Sequence, residues 1–224
     1  LLLAAERLIA TRGFDVPSRE IIAEAGHRNK SAIQYYYGSR DEMVEAIWYL
    51  HGAPVNLYRA EIVAALPPAD EVTTRELIDA YLVPLARELG SYKPSYWARF
   101  NERQLLLSPL HFVADLQIEL IMRDNAHPLY VLFLLYKQTE QHLTQLTREE
   151  AVHRVALTFR FIMHGLATWE RDSEDESTPM IELSDFVDDL AGLAVSMLEA
   201  PSYLRASSGH GHGIGDGSFE TMDG

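Results

Sequence analysis

Residues 26–43 read Gly26-His27-Arg28-Asn29-Lys30-Ser31-Ala32-Ile33-Gln34-Tyr35-Tyr36-Tyr37-Gly38-Ser39-Arg40-Asp41-Glu42-Met43. A glycine turn leads into a short stretch whose polar positions carry Arg, Asn, Lys, Ser and Gln, donors suited to phosphate oxygens and base edges. Three tyrosines follow, then a Gly-Ser break. Ser39 is a good cap for a new helix, with Asp41 and Glu42 at its positive end. The order is that of a recognition helix followed by the helix that joins it to a larger body. The spacing predicts this third helix roughly from Asn29 to Tyr36. Ile33 and Tyr37, four apart, fall on its inward side, and Lys30, Ser31 and Gln34 on its outward side.

Working outward, nearly every segment has helical periodicity, and no alternating strand or hairpin turn stands out. Leu1, Ala4, Ala5, Leu8 and Ile9 share one face of a first helix that Gly13 is placed to end. Pro17-Ser18 opens a second, with Ser18 a candidate cap and Ile21, Ile22 and Ala25 as its apolar stripe. Pro54 is expected to kink or interrupt the fourth helix, and Pro67-Pro68 to stop the helical segment after it. Further amphipathic stretches lie near 74–89, 95–107, 110–123 and 128–146. Two long apolar ones, 148–171 and 182–199, flank an acidic loop that begins at Asp172.

Composition bounds the rest. The chain has 224 residues, is 47% hydrophobic and contains no cysteine, which excludes disulfides, thiolate zinc sites and a cysteine nucleophile. No apolar run approaches the roughly 20 residues of a membrane span, and no signal peptide is expected. The chain begins at Leu1, already within a helical pattern, so upstream residues are expected to be missing. The net charge of −14 is unevenly spread. Residues 1–50 hold Arg7, Arg12, Arg19, Arg28, Lys30 and Arg40 against seven carboxylates, so nearly all the excess acidity lies later. An acidic body with a small basic face is compatible with nucleic acid, though it does not argue for it.

The N-terminal segment resembles the tetracycline-repressor (TetR) family of bacterial regulators. The resemblance rests on Ala4-Ala5 through Gly13-Phe14, on Arg19-Glu20-Ile21-Ile22-Ala23-Glu24-Ala25-Gly26, and on Tyr35-Tyr36-Tyr37-Gly38-Ser39-Arg40. The last block is similar to the family's Tyr-His-Phe-Gly-Ser-Lys stretch, with Tyr36 where the family usually has histidine. The resemblance covers about the first 50 residues. It implies an all-α protein with a helix-turn-helix DNA-binding domain over 1–45 and a helical effector-binding and dimerisation domain over 46–205. Residues 206–224, rich in Gly and Ser, are expected to be a disordered tail.

The expected DNA contacts are Arg28, Asn29, Lys30, Ser31 and Gln34. Tyr35 and Tyr36 resemble family positions that touch phosphates, and Arg40 resembles the family's phosphate-binding lysine. The plainer reading of each is a solvated polar surface. The middle of the chain is aromatic, and Tyr96, Trp97, Phe100, Phe112, Tyr130, Phe133 and Met163 are expected to line an effector cavity for an apolar or aromatic molecule. Aromatics at helical spacing are more often plain core. Arg99, Arg103 and His164 are candidate polar anchors, with ion pairing the competing reading. The bands Val155, Phe159, Ile162, Met163, Leu166, Trp169 and Phe186, Leu190, Leu193, Ala194, Met197, Leu198 would, by resemblance, join a symmetry mate in a four-helix bundle.

No metal-ligand spacing, phosphate loop, dinucleotide fingerprint or nucleophile elbow is present, so neither a cofactor, a metal nor an enzyme is expected. The reading is a cytoplasmic, homodimeric regulator that binds a palindromic DNA operator. By resemblance it is a repressor released by a small effector. The rival is a helical binding or adaptor protein that no longer meets DNA.

Overall fold

The computed structural model describes residues 1–107, 129–174 and 181–202, which form nine helices and contain no strand. They are α1 (Leu2–Arg12), α2 (Ser18–Glu24), α3 (Ala32–Tyr37), α4 (Arg40–Ala64), α5 (Thr74–Gly90), α6 (Trp97–Leu107), α7 (Tyr130–His142), α8 (Arg148–Asp172) and α9 (Leu183–Glu199). The expected helix at 110–123, Phe112 and the tail lie outside the described residues. No helix among the described residues is long and apolar enough to cross a membrane.

Local chemistry accounts for several of the helix ends. Ser39 accepts the Glu42 amide at 3.1 Å and starts α4. Thr73 with Glu76 and Thr147 with Glu150 form reciprocal capping boxes at α5 and α8. Gly38, at φ +81°, makes the left-handed turn between α3 and α4 that an L side chain would strain.

Three expectations need correction. The third helix begins at Ala32 rather than Asn29, because Asn29 Oδ1 accepts the Ser31 amide at 2.9 Å and its carbonyl accepts that of Ala32 at 3.1 Å. That side-chain turn competes with helix and wins over residues 29–31. Ser18 is the first residue of α2 and caps nothing; its hydroxyl lies 3.3 Å from an Arg40 nitrogen instead. Pro54 does not interrupt α4, which runs through it for 25 residues. The ring is exposed, while Val55 and Asn56 beside it are buried, so packing of the helix face outweighs the missing amide.

Two cores result. The N-terminal one collects Ala5, Leu8, Ile9, Val16, Ile21, Ile22, Ile33, Met43 and Ile47, and Trp97 and Phe100 of α6 close it. The larger one gathers α5, α7, α8 and α9 around Leu82, Leu135, Tyr136, Phe159 and Ile162, with Val55 of α4. Gly165 of α8 lets α9 come close, since a Cβ there would stand 2.9 Å from Leu190.

Glu170 of α8 fixes α6 between the two cores. Its buried carboxylate accepts the backbone amides of Ala98 and Arg99 and the Arg99 Nε, all at 3.0 Å. An anion thus sits on the free amides of a helix N-terminus and on a buried guanidinium at once. Glu174 completes the arginine's pairing at 2.6 Å. Removing one partner of such a buried pair costs roughly 3–5 kcal/mol. Glu170→Ala is expected to lose stability in that range by urea denaturation, whereas breaking the exposed Arg75–Asp188 pair with Asp188→Ala, which leaves the Arg75–Asp79 pair in place, should cost under ~1 kcal/mol.

Candidate nucleic-acid interface and ligand cavity

Arg28, Asn29, Lys30, Ser31, Gln34, Tyr35 and Tyr36 are all exposed, while Ala32 and Ile33 between them are buried. Tyr35 and Tyr36 keep 76% and 58% of their surface in water, their rings edge to face at 5.0 Å. Tyr36 also lies against His27. A polar and aromatic surface therefore stands on a small apolar foot. The later start of α3 places Lys30 and Ser31 in the turn rather than on the helix, so only Gln34, Tyr35 and Tyr36 project from α3 itself.

The head's cations divide into two sets. Arg7 pairs with Glu24 and Arg12 with Glu20. Among the described residues Arg19, Arg28 and Lys30 have no carboxylate within ion-pair distance, which leaves the positive charge near the turn before α3. Nothing in the sequence singles out Arg19, because pairing between helices cannot be read from spacing. Arg40 is half-buried and donates to the Phe14 carbonyl at 2.7 Å and to Ser18 Oγ. It clamps the start of α4 to the turn before α2, and no described carboxylate neutralises it.

A cavity of about 460 Å³ lies between α4, α5, α6, α7 and α8. Its apolar wall includes Trp48, Val55, Leu85, Trp97, Leu132, Phe133 and Met163, and its polar groups are Asn56, Arg59, Asn101 and Gln104. Asp41 and Glu45 stand where α4 is exposed. Volume and lining suit a small organic molecule.

Of the residues expected to line such a cavity, Trp97, Phe133 and Met163 do so. Phe100 is instead buried in the N-terminal core, 6.2 Å from the Phe14 ring. Tyr96 packs beside that core and under the Arg99 guanidinium. Tyr130 is half-buried but does not line the cavity. Arg99 is committed to Glu170 and Glu174, His164 is exposed beside Glu102, and neither they nor Arg103 reach the cavity. Their ion-pairing reading holds for Arg99 and His164. Among the polar residues of the wall, sequence reasoning misses Asn56 and Arg59 of α4 and Asn101 and Gln104 of α6. Val55, Arg59 and Ile62 follow helical spacing on one face, so a cation on an apolar stripe is the available signal.

A buried polar triad joins the cavity wall to the head. His51 of α4 lies 3.1 Å from Glu6 of α1 through Nε2 and 2.8 Å from Glu88 of α5 through Nδ1. Ionised carboxylates only accept, so both bonds form together only when both ring nitrogens carry hydrogen. Trp97 stacks on the imidazole at 4.8 Å, and Trp48 meets Trp97 edge-on at 5.9 Å. Burial alone would lower the His51 pKa; hydrogen bonds and charge from Glu6 and Glu88 outweigh it, and the pKa is raised above 6.5.

Among the described residues no cluster of three or more His, Asp or Glu side chains could hold a metal ion. Residues 1–47 match the family model described as bacterial regulatory proteins, tetR family. No curated protein matches the chain.

The raised histidine pKa has a definite sign. A protonated group held better in the folded than the unfolded chain stabilises fully below the unfolded value near 6.5, and the gain fades as pH rises through the higher folded value. The stability gap between the wild type and His51→Gln, measured by urea denaturation from pH 6 to 9, is expected to shrink with rising pH. A gap that widens would contradict the doubly bonded imidazolium.

Proposed function

We propose that this chain, a tetR-family regulator by its N-terminal domain, binds a palindromic double-stranded operator as a homodimer and represses transcription until a small apolar or aromatic effector enters the cavity. The observation that carries the reading is the double membership of Trp97. The same indole seals the core of the DNA-binding head, stacks on His51 and forms part of the cavity wall. A molecule that shifts Trp97 or α4 therefore perturbs the contacts that seat α1, and with α1 the recognition surface.

DNA contact is assigned to Arg28, Asn29, Lys30, Ser31, Gln34, Tyr35, Tyr36 and Arg40. The exposure of all of these but Arg40, which is half-buried, and the unpaired charge of Arg28 and Lys30 support the assignment. Arg28 and Lys30 suit guanine edges or phosphates, and Gln34 suits adenine. Arg40 lies at the N-terminus of α4, where backbone amides add their own preference for an anion.

Of the bands expected to meet a symmetry mate, Val155, Phe159, Ile162, Met163, Leu166, Leu190, Ala194 and Leu198 are buried in this chain's own core, so dimerisation is assigned to the outer faces of α8 and α9 instead. Leu157 and Leu193 are each about half exposed, at 48% and 49%, and Phe161, Phe186 and Met197 are only partly covered. A Cβ at Gly192 would meet open space, which leaves room for a close neighbour. A two-fold axis there presents two heads to the two halves of a palindrome.

The effector acts by differential affinity. It favours a dimer geometry whose recognition surfaces no longer fit successive major grooves, and by linkage DNA must weaken effector binding by the same factor. Fluorescence anisotropy on DNA from upstream of the protein's own gene tests the reading. Saturable binding that weakens steeply with salt is expected, with Lys30→Ala and Tyr36→Ala each losing affinity by roughly 1–3 kcal/mol. Binding no tighter than to random DNA would favour a helical adaptor instead. Equal effector affinity of free and operator-bound protein would sink the coupling.

A further inference from the structure

Arg59 is fully buried in the body of the protein, on the cavity wall. Its Nη1 donates to Asn56 Oδ1 and its Nη2 to the Tyr81 carbonyl at 3.3 Å. A guanidinium has five N–H donors; these contacts use two, and Nε has no hydrogen-bond partner. The Tyr81 ring faces the guanidinium carbon at 5.5 Å. Among the described residues no carboxylate lies within ion-pair distance. Arg99, by contrast, is met by two carboxylates.

Burial lowers the Arg59 pKa to about 10, with Tyr81 and Tyr136 partly offsetting it, so the side chain keeps its proton at neutral pH. The two phenols do not neutralise it, for burial raises their own pKa values, that of Tyr81 to about 12. A cation without a counter-ion in a dry site is costly, and an apolar residue would pack there more cheaply. Arg59 borders a cavity whose wall includes the apolar Val55, Leu85, Phe133 and Met163 beside the polar Asn56, Asn101 and Gln104.

We infer that the effector is an amphipathic anion, a carboxylate on an apolar or aromatic body, whose carboxylate binds the free edge of Arg59. The planar fork of a guanidinium matches a carboxylate in a two-bond pairing. Asp41 and Glu45, the carboxylates on the cavity wall, do not oppose this. They are exposed and lie about 27 Å and about 21 Å up α4 from Arg59 at roughly 1.5 Å per residue. The apolar body would run from Arg59 along α4 toward Trp48 and Trp97, which supply an optical report of binding.

The inference rests on reading the cavity as the effector site, and a direct binding measurement separates the two claims. The full chain is titrated with decanoate and with decanamide, which share an apolar tail and differ in charge, and tryptophan fluorescence is followed. Decanoate is expected to bind at least about tenfold more tightly than decanamide, at the lower end of what a charge-assisted pair contributes. Arg59→Met is expected to lose that preference while still taking up the amide, and Arg59→Lys to keep part of it.

Equal binding of both probes to the wild type would overturn the anion site and leave the cavity reading standing. A preference that survives in Arg59→Met would also overturn it. Saturable response to neither probe would overturn both claims. If Arg59→Met does not fold, the wild-type comparison and Arg59→Lys still decide the matter. A melting temperature raised by decanoate and not by decanamide is the independent readout.

Discussion

The buried contact Glu6–His51–Glu88 governs how the two halves of this molecule meet. Two carboxylates from different helices converge on one imidazole, and all three residues are buried. Such a group has no second arrangement of comparable energy nearby, because separating any member strands a charge in a dry interior. α1 therefore cannot drift relative to α4 and α5 without breaking hydrogen bonds. The same imidazole carries Trp97 on its face, so α6 shares the constraint. The junction is polar and directional where both cores are apolar and permissive.

Because of that junction, the boundary of the matched N-terminal segment is less sharp in packing than in sequence. The family match ends at Ile47, yet the head's apolar core is finished by Trp97 and Phe100, some fifty residues later. Glu170 holds those residues in place through the first amides of α6. A head cut from its body would expose the face those rings cover.

Much of this is legible in the residues, and the gaps have physical causes. Periodicity finds α5, α8 and α9 nearly to their ends, and the caps at Thr73 and Thr147 show why local signals suffice at two of these starts, whereas α4, expected to kink or break at Pro54, runs on through it. The start of α3 escapes it because Asn29 offers its side chain to the backbone two residues on, a competition that apolar spacing does not register. Phe100 is misplaced in the cavity because periodicity gives the face a residue lies on, and not the core which that face meets. Ser18 has the right type and place for a cap, but Arg40, distant in sequence, approaches its hydroxyl. Arg59 is the residue whose position on an apolar stripe contradicts its type, and such a contradiction marks a group held there for something other than packing.

Pro54 gives α4 a property that packing alone would not. It has no amide to offer the Leu50 carbonyl, so the rod lacks one rung between Asp41 and Arg59, the first and last α4 residues on the cavity wall. Bending is cheapest at such a joint. From there to Arg40 is about 21 Å at roughly 1.5 Å per residue, so a bend of roughly 10° would carry the helix tip by about 3.6 Å. One step along a DNA strand is about 3.4 Å. A small change of angle at this joint thus moves the tip of α4 by a distance comparable to one nucleotide step.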